Sequence, residues 1–245
     1  GTAAEILDDE VRKDLCPDKI NTSQWLEVME AAHNEGFNTT ATIMYGHLER
    51  YSHVARHLLR VKNLQMKTGG FTEFVILPFI HMESPLYLKG KARKGPTFRE
   101  AVLIHAVSRL VLSPQFKNIQ ASWTKLGHEG IKACLRAGVN DIGGTLMNET
   151  ITRAAGASHG QETTPGEMEK LINSVGRQPR QRTTSYGYVS DLQYQRSLGA
   201  CALAEPVYAS AEKYERKSGR KKSKLVRPGL ENLGGEEKIT SADIV

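Results

Sequence analysis

The sequence predicts an α/β fold in which a parallel sheet is built from strand–helix units. Two observations support this prediction: short, apolar, β-rich runs recur along the chain, and amphipathic helical patterns separate them. Glycines follow several of the helical patterns, at positions typical of helix C-termini. The predicted strands are Ala3–Leu7, Thr39–Tyr45, Glu73–Pro78, Asn118–Trp123 and Val139–Gly144.

The predicted helices rest on apolar residues that are spaced three and four positions apart. Their bounds are Ser23–Asn34, with Thr22 or Ser23 as its N-cap, then Leu48–Lys67, Thr97–Leu112, Glu129–Ala137 and Leu146–Ala155. The alternation amounts to about five βα units, whereas a closed (β/α) barrel has eight. The fold is therefore either an open doubly wound sheet or the later part of a barrel. A first residue that is not Met and a start within a predicted strand favour the second, so we expect a fragment.

Charge and composition divide the 245 residues into three predicted regions. These are a partial barrel over 1–190, a further helix within 191–217 and a disordered tail over 218–245, where Lys, Gly, Glu and Ser dominate. The segment 213–227 has eight Lys or Arg and one Glu, so its charge of +7 exceeds the +6 of the whole chain. Because the basic surplus lies in one segment and not on the domain, we do not expect nucleic acid as a partner.

The sequence has no run of 18 apolar residues and no secretory signal at its start, which predicts neither a membrane span nor secretion. Cys16, Cys134 and Cys201 are far apart in sequence and lack metal-binding spacing. We therefore expect no metal site and no disulfide framework in this chain. The predicted location is a reducing one, in the cytoplasm or an organellar interior.

In a parallel barrel, reactive groups lie at the carboxyl ends of the strands and in the loops that follow. This rule selects polar residues of both charge signs: Glu5, Arg12, Lys19, Tyr45, His47, Glu49, His81, Glu83, Ser122, Trp123, Lys125, Asn140 and Asp141. Such a ring suits a polar or zwitterionic small molecule. Alternatives remain open: Glu5 could pair with Arg12, His53 and His57 have the spacing of a metal pair, and the glycines after Asp141 suit either a phosphate or close packing.

Six segments together resemble the FO synthase family, and more narrowly its tyrosine-using half, a 5-amino-6-(D-ribitylamino)uracil–tyrosine 4-hydroxyphenyl transferase. In order along the chain they are GTAAEILDDEVRKDLCPDKI, TTATIMYGHLE, LQMKTGGFTEFVILPF, IQASWTKLG, GVNDIGGTLMNETITRAAGASHG and GRQPRQRTTSYG. The resemblance extends from Gly1 to about Tyr188. Related futalosine enzymes of menaquinone synthesis share parts of these motifs.

The resemblance implies a radical SAM barrel of deazaflavin (coenzyme F420) biosynthesis. Its cofactors are S-adenosylmethionine (SAM) and a [4Fe-4S] cluster, and its substrates are tyrosine and ribitylaminouracil. The family holds the cluster through a CxxxCxxC motif, and this sequence lacks that motif. We therefore expect this chain to be the C-terminal part of the enzyme and to be inactive alone. Its expected partners are the missing N-terminal barrel strands and a fused or separate ring-closing half. A non-catalytic barrel remnant that acts as a binding or scaffold protein is the alternative.

The resemblance and the strand-end rule together assign provisional roles to nine residues, with no metal ligand and no identified catalytic residue. Glu5, Arg12, Tyr45 and Glu49 are predicted to contact SAM, Arg12 through a forked ion pair with its carboxylate. The predicted substrate-binding residues are His47, His81, Trp123, Asn140 and Asp141.

Overall fold

A computed structural model describes residues 3–146 and 149–210 of the chain. The elements along it are α1 (Asp9–Leu15), α2 (Thr22–Asn34), β1 (Thr39–Tyr45), α3 (Tyr51–Thr68), β2 (Phe71–Pro78), α4 (Pro85–Leu88), α5 (Phe98–Leu112), β3 (Ile119–Ala121), α6 (Trp123–Arg136), α7 (Ile151–Ala154), α8 (Pro165–Asn173) and α9 (Asp191–Leu198). None of the helices in this part of the chain is both long and apolar enough to span a membrane.

The three strands form a parallel sheet in the order β1–β2–β3. Alternate residues of a strand point to opposite faces of the sheet, and here the two faces differ in burial. On one face, residues such as Ile43, Phe74 and Ala121 are fully buried. On the other face, Thr40 lies opposite Glu73 in the register of β1 and β2. We call this second, more polar side the open face.

The hydrophobic core lies between the other face of the sheet and the helices. It joins residues of all three strands to the inward-facing residues of α2, α3, α5 and α6, among them Trp25, Leu58, Val61, Ile104 and Ile131. The prediction of a mixed α/β fold with a parallel sheet is confirmed. The described strands do not close into a barrel.

Two of the five predicted strands are wrong. Residues 3–7 are not a strand because Glu5 has a φ of +52°, which interrupts an extended conformation, although its carbonyl accepts a hydrogen bond from Met44 N at 2.7 Å beside β1. In Val139–Gly144, only a single parallel bridge, from Asp141 to Gln120, is formed. The positive φ of Gly143 (+75°) then turns the chain into a loop.

Of the other strands, Thr39–Tyr45 is confirmed at both ends, and β2 begins two residues earlier than predicted. The fourth predicted strand is shortened to Ile119–Ala121, because Ser122 is the N-cap of α6 and Trp123 is already helical. Burial of a short apolar run does not reveal where a strand gives way to a helix.

The long helices are confirmed to within three residues at each end, while the later ones differ. Asn21, not Thr22 or Ser23, is the N-cap of α2, and its side chain accepts a hydrogen bond from Gln24 N. The helix predicted at Glu129–Ala137 begins earlier, at Trp123, and is interrupted at Gly127 (φ +64°). Of the helix predicted over Leu146–Ala155, the described residues form α7, and within 191–217 the described helix is α9. The basic segment 213–227 and the tail 218–245 lie outside the described residues.

Candidate functional site

The loop after β1 holds His47 and Glu49 in the interior, where both side chains are bonded to the protein itself. The Glu49 carboxylate accepts hydrogen bonds from Gly46 N at 2.6 Å and His47 N at 2.8 Å, and it pairs with Arg93 at 3.2 Å. His47 donates from Nε2 to Met44 O at 3.0 Å and accepts from Leu48 N at 2.7 Å. Burial lowers the pKa of His47, so this imidazole is neutral at pH 7. Both residues therefore shape the loop.

Tyr45 lies on the helix-covered face of the sheet, in the hydrophobic core. Its ring meets His105 edge-on, with 6.5 Å between the ring centroids. The buried hydroxyl has no hydrogen-bond partner among the described residues, and burial raises its pKa. The structure thus places this predicted SAM contact away from the open face.

Glu5 and Arg12 do not pair with each other. Glu5 binds Lys19, with 2.5 Å between Nζ and Oε1. Arg12 is only 3% exposed, and its guanidinium donates to three backbone carbonyls: Ala4 O at 2.6 Å, Ile6 O at 3.0 Å and Ile20 O at 3.1 Å. Arg12 therefore holds the segment that precedes α1 in place. Of the four residues predicted to contact SAM, Glu5 has the most exposed side chain.

Trp123 and Asn140 also have their polar atoms bonded within the protein. The buried Trp123 indole donates to Gly144 O at 2.9 Å, which holds the loop after Asp141 against the start of α6. The Asn140 amide accepts from Ile119 N at 2.9 Å and Arg109 at 2.6 Å. Asn140 therefore supports the beginning of β3.

His81 follows β2 and is half-buried against Tyr87, with 4.7 Å between the ring centroids. Its pKa is lowered by burial and by the nearby Lys94. Of the two spaced histidines on α3, His57 is fully buried with a pKa lowered by burial to about 3, and its Nδ1 accepts from Leu7 N at 2.9 Å. His53 is near Asp8 and Glu10, the one group of possible metal ligands found among the described residues. Arg56 pairs with both of these carboxylates, at 2.6 Å and 3.3 Å, and so supplies the positive charge there.

Asp141 is the predicted site residue around which the structure builds a charged network. Its carboxylate pairs with Arg182 Nε and accepts from Gln120 Nε2 at 3.2 Å and from Gly143 N at 2.7 Å. Arg182 also pairs with Glu73 at 3.3 Å, and the Tyr186 hydroxyl donates to the same Glu73 carboxylate. We call Glu73, Gln120, Asp141, Arg182 and Tyr186 the open-face network.

Tyr186 has an unusual conformation in this network, with a φ of +61°. A non-glycine residue at such a φ is held there by its surroundings, and strained residues of this kind cluster at functional sites. Its ring lies under the Arg182 guanidinium, 3.9 Å from ring centroid to Cζ. Burial and the neighbouring carboxylates raise the pKa of Tyr186, so it remains a hydrogen-bond donor.

The strand-end rule missed four of these five residues. Glu73 could have been found as a charged residue inside an apolar strand, since a buried charge needs a partner. Arg182 and Tyr186 lie in the segment GRQPRQRTTSYG, which contributed to the resemblance but gave no site residue. They contact Glu73, which lies more than 100 positions earlier, and a local sequence pattern does not predict such a tertiary contact.

A pocket of about 920 Å³ borders the open-face network. This volume lies in the range of small-molecule sites. Glu73, Asp141 and Tyr186 are among the residues that line it. Residues of α8, α9 and the segment 177–188 contribute much of the remaining wall, including Met168, Glu169, Arg177, Arg180, Tyr188 and Tyr194.

A second polar group lies at the carboxyl end of β3, and we call it the β3-end cluster: Ser122, Thr124, Lys125, Glu149 and Thr152. The Ser122 and Thr124 hydroxyls are 3.0 Å apart, and the Thr152 hydroxyl is 3.4 Å from that of Thr124. Lys125 donates to Thr152 Oγ1 at 3.5 Å. The Glu149 carboxylate accepts from Thr152 N at 2.9 Å, which fixes the start of α7.

The cysteines do not form a ligand set for an iron–sulfur cluster. Cys16 is the C-cap of α1, Cys134 lies in the core on α6, and Cys201 is exposed after α9. Such a cluster requires several thiolates around one point. The described part of the chain therefore does not fit this group.

Comparisons with known proteins place the chain in a family. A family profile described as "CofH/MqnC C-terminal region" matches residues 68–194, just over half of the chain. The chain belongs to this family. The matched region contains all of the open-face network and the β3-end cluster.

Three relatives are similar over about three quarters of this chain. The 5-amino-6-(D-ribitylamino)uracil–L-tyrosine 4-hydroxyphenyl transferase of Methanocaldococcus jannaschii is 50% identical over 186 residues, which are 76% of this chain and 52% of the relative. The corresponding transferase of Methanococcus aeolicus is 47% identical over 186 residues, 51% of its length. The FO synthase of Nocardia farcinica is 50% identical over 189 residues, 77% of this chain and 22% of the relative. The chain thus spans about half of the transferases and about a fifth of the FO synthase.

Proposed function

We propose that this chain is the C-terminal part of a radical SAM transferase of deazaflavin biosynthesis, which joins the 4-hydroxybenzyl group of tyrosine to 5-amino-6-(D-ribitylamino)uracil. The observation that carries the proposal is the 50% identity to a transferase of this name over 76% of the chain. Membership of the CofH/MqnC C-terminal family supports it independently.

The sheet is proposed to be one part of a (β/α) barrel wall, with the open face toward the barrel interior. Among the described residues, helices cover one face of the sheet, as they do in a barrel, and the other face carries Thr40, Glu73 and Gln120. The remaining strands would come from the rest of the enzyme and would complete the enclosure. A barrel interior of this kind excludes water from a reactive intermediate.

The iron–sulfur cluster is proposed to be held outside this chain, because the three cysteines here do not fit it. In the family, the cluster and SAM together supply the radical that begins the reaction. The chain by itself is therefore expected to be inactive. Incubating the isolated chain with reconstituted cluster, SAM and a reductant should yield no 5′-deoxyadenosine above background.

Of the predicted SAM contacts, Glu5 with its partner Lys19 is the pair best placed to meet a ligand. Arg12 and Glu49 are proposed to support the site indirectly, by holding the backbone segments to which they are hydrogen-bonded. Tyr45 is proposed to support it by packing in the hydrophobic core. Among the substrate contacts, Asp141 is proposed to face the uracil edge or the ribityl hydroxyls from the wall of the 920 Å³ pocket. His47, Trp123 and Asn140 are proposed to position the loops around it, and His81 to border the opening after β2.

A chimera tests the proposed function. Residues 3–210 of this chain would replace the matched half of the M. jannaschii transferase, and formation of the tyrosine–ribitylaminouracil adduct would be measured. We expect adduct formation, because the chimera joins the cluster-bearing half to the proposed substrate wall. A chimera that folds and cleaves SAM but forms no adduct would contradict the proposed substrates. The scaffold alternative predicts this second result.

A further inference from the structure

We propose that Lys125 binds the α-carboxylate of an amino-acid ligand at the carboxyl end of β3. The ligand's identity rests on the proposed function, which offers two α-carboxylates, those of tyrosine and of SAM. The chemistry that Lys125 recognises is the same in both cases.

The position of Lys125 is fixed by the preceding strand and by the start of α6. β3 ends at Ala121, Ser122 is the N-cap of α6, and Lys125 N bonds to Ser122 O at 3.2 Å in the first helical turn. Lys125 thus follows a parallel strand by four residues, at the end of the sheet where barrel enzymes bind their ligands.

The Lys125 ammonium lacks the carboxylate partner that three other described lysines have. It has three donors, and its single hydrogen bond within the described residues is the long one to Thr152. Lys19, Lys67 and Lys132 each lie within 2.7 Å of a glutamate oxygen. Lys125 has no carboxylate within 4.0 Å in the part of the chain that the structure describes. Burial opposes its charge and lowers its pKa, and the more distant Glu149 and Glu5 offset this only in part.

A half-buried ammonium that keeps free donors is suited to receive an anion, because an incoming carboxylate supplies the missing charge. The neighbouring hydroxyls favour the same ligand. Thr124 and Thr152 are 4% exposed, and with Ser122 they form a chain of hydroxyls beside the ammonium. A hydroxyl can donate to the second oxygen of a bound carboxylate.

Glu149 holds Thr152 in place and does not form an ion pair with Lys125. Its carboxylate accepts from Thr152 N at 2.9 Å and 3.2 Å, and these bonds use its two oxygens. The Thr152 hydroxyl is therefore held near Lys125 while the negative charge stays at the backbone of α7. Among the described residues, no carboxylate of the cluster lies within ion-pair distance of the Lys125 ammonium, although Glu149 acts on it from farther away.

The test measures ligand binding to the full 245-residue chain by calorimetry, at pH 7 and low salt. The probes are L-tyrosine with tyramine, and SAM with decarboxylated SAM, so each pair differs by the carboxylate alone. We expect one carboxylate ligand to bind at least about tenfold more tightly than its decarboxylated counterpart. The pair that shows the difference identifies the ligand.

Variants assign the effect to Lys125. Lys125→Met should remove the preference for the carboxylate, and Lys125→Arg should retain most of it, because the charge is kept. Lys132→Met is the matched control, since Lys132 lies on the same helix and pairs with Glu129. Affinity for the carboxylate ligand should fall as the pH rises through the lowered pKa of Lys125.

The proposal is overturned if the wild-type chain binds neither carboxylate ligand below about 10 mM, or if Lys125→Met binds both as the wild type does. The chimera separates this proposal from the proposed function. A chimera that forms the adduct equally well with Lys125→Met overturns the role of Lys125 alone. A chimera that forms no adduct, beside a chain whose Lys125 binds a carboxylate, contradicts the function alone.

Discussion

The open-face network and the β3-end cluster are both polar, but they differ in whether their charged side chains have ion-pair partners. In the network, Arg182 lies between Glu73 and Asp141, and Tyr186 and Gln120 donate to the same carboxylates. In the β3-end cluster, the Lys125 ammonium has, within the described part of the chain, a single long hydrogen bond to a hydroxyl. A paired network is complete without a ligand, whereas the cluster is completed by one.

This difference indicates that the open-face network contributes mainly to stability and the β3-end cluster mainly to ligand binding. The network joins β2, β3, the segment after α6 and the segment 177–188, so it fixes a wall of the pocket. A side chain that already has its partners contributes mainly to stability, and one without them contributes mainly to binding. The four predictions below separate these two contributions.

The largest effect is expected for Arg182→Met. The change leaves the Asp141 carboxylate, which is 5% exposed, and that of Glu73 without their cation. Because Arg182 is itself 28% exposed, water relieves part of the cost, and we expect a loss of about 2 kcal/mol in the free energy of unfolding by urea. Arg180→Met is the control on the same segment: Arg180 is exposed over the Tyr188 ring, so its loss should cost about 0.5 kcal/mol. Equal effects of the two changes would contradict the pairing argument.

The second effect is expected for Asp141→Asn, which keeps the shape but removes the charge. Arg182 then faces a neutral amide in place of a carboxylate and the bond from Gly143 N becomes a neutral one, which should cost about 1.5 kcal/mol in urea unfolding. In the chimera, the same change should weaken ribitylaminouracil binding measured by calorimetry. Unchanged affinity for ribitylaminouracil would remove Asp141 from the proposed substrate contacts.

Tyr186→Phe should have a smaller effect of about 1 kcal/mol, because Glu73 loses one donor but keeps Arg182 and Gln120. Tyr188→Phe provides the comparison, since the exposed Tyr188 contributes its ring, and not a hydroxyl bond, to Arg180. Urea unfolding of the Tyr188 variant should match that of the wild type. A Tyr186 variant as stable as the wild type would show that Glu73 does not depend on the phenol.

The smallest effect on stability is expected for Lys125→Met, and its sign is opposite. At pH 7 the wild type carries a half-buried ammonium with an incomplete set of partners, so the variant should be as stable or slightly more stable. Burial lowers the folded-state pKa of Lys125 below its ordinary value of 10.5. Between these two pKa values the unfolded chain binds more protons, and the wild type therefore gains stability relative to the variant as the pH rises. Urea unfolding at several alkaline pH values measures this difference, and a constant difference would contradict a lowered pKa.

The helical and strand patterns predicted most of the fold because burial on one side leaves a periodic trace. In β1, the buried Ala41, Ile43 and Tyr45 alternate with less buried residues, and the sequence pattern predicts both ends of this strand correctly. The errors occur where backbone conformation overrides apolar composition. Glu5 adopts a positive φ within an apolar run, and Trp123 begins a helix where its neighbours read as a strand.

The strand-end rule selected residues near the carboxyl end of the sheet but did not determine what their side chains contact. His47, Glu49, Arg12 and Asn140 are polar residues in loops, and their sequence does not distinguish a ligand contact from a bond to the backbone. The structure resolves this for each by showing which atoms already have partners, as in the three carbonyls that Arg12 binds.

The sequence by itself determined the α/β class, the family and the lack of cluster-binding cysteine spacing, because these depend on periodicity, motif order and spacing along the chain. Tertiary structure alone decided that Arg182 and Tyr186 reach Glu73 and that Lys125 has no carboxylate within 4.0 Å among the described residues. The physical reason is that electrostatic pairing depends on distances of a few ångströms between residues that lie far apart in sequence.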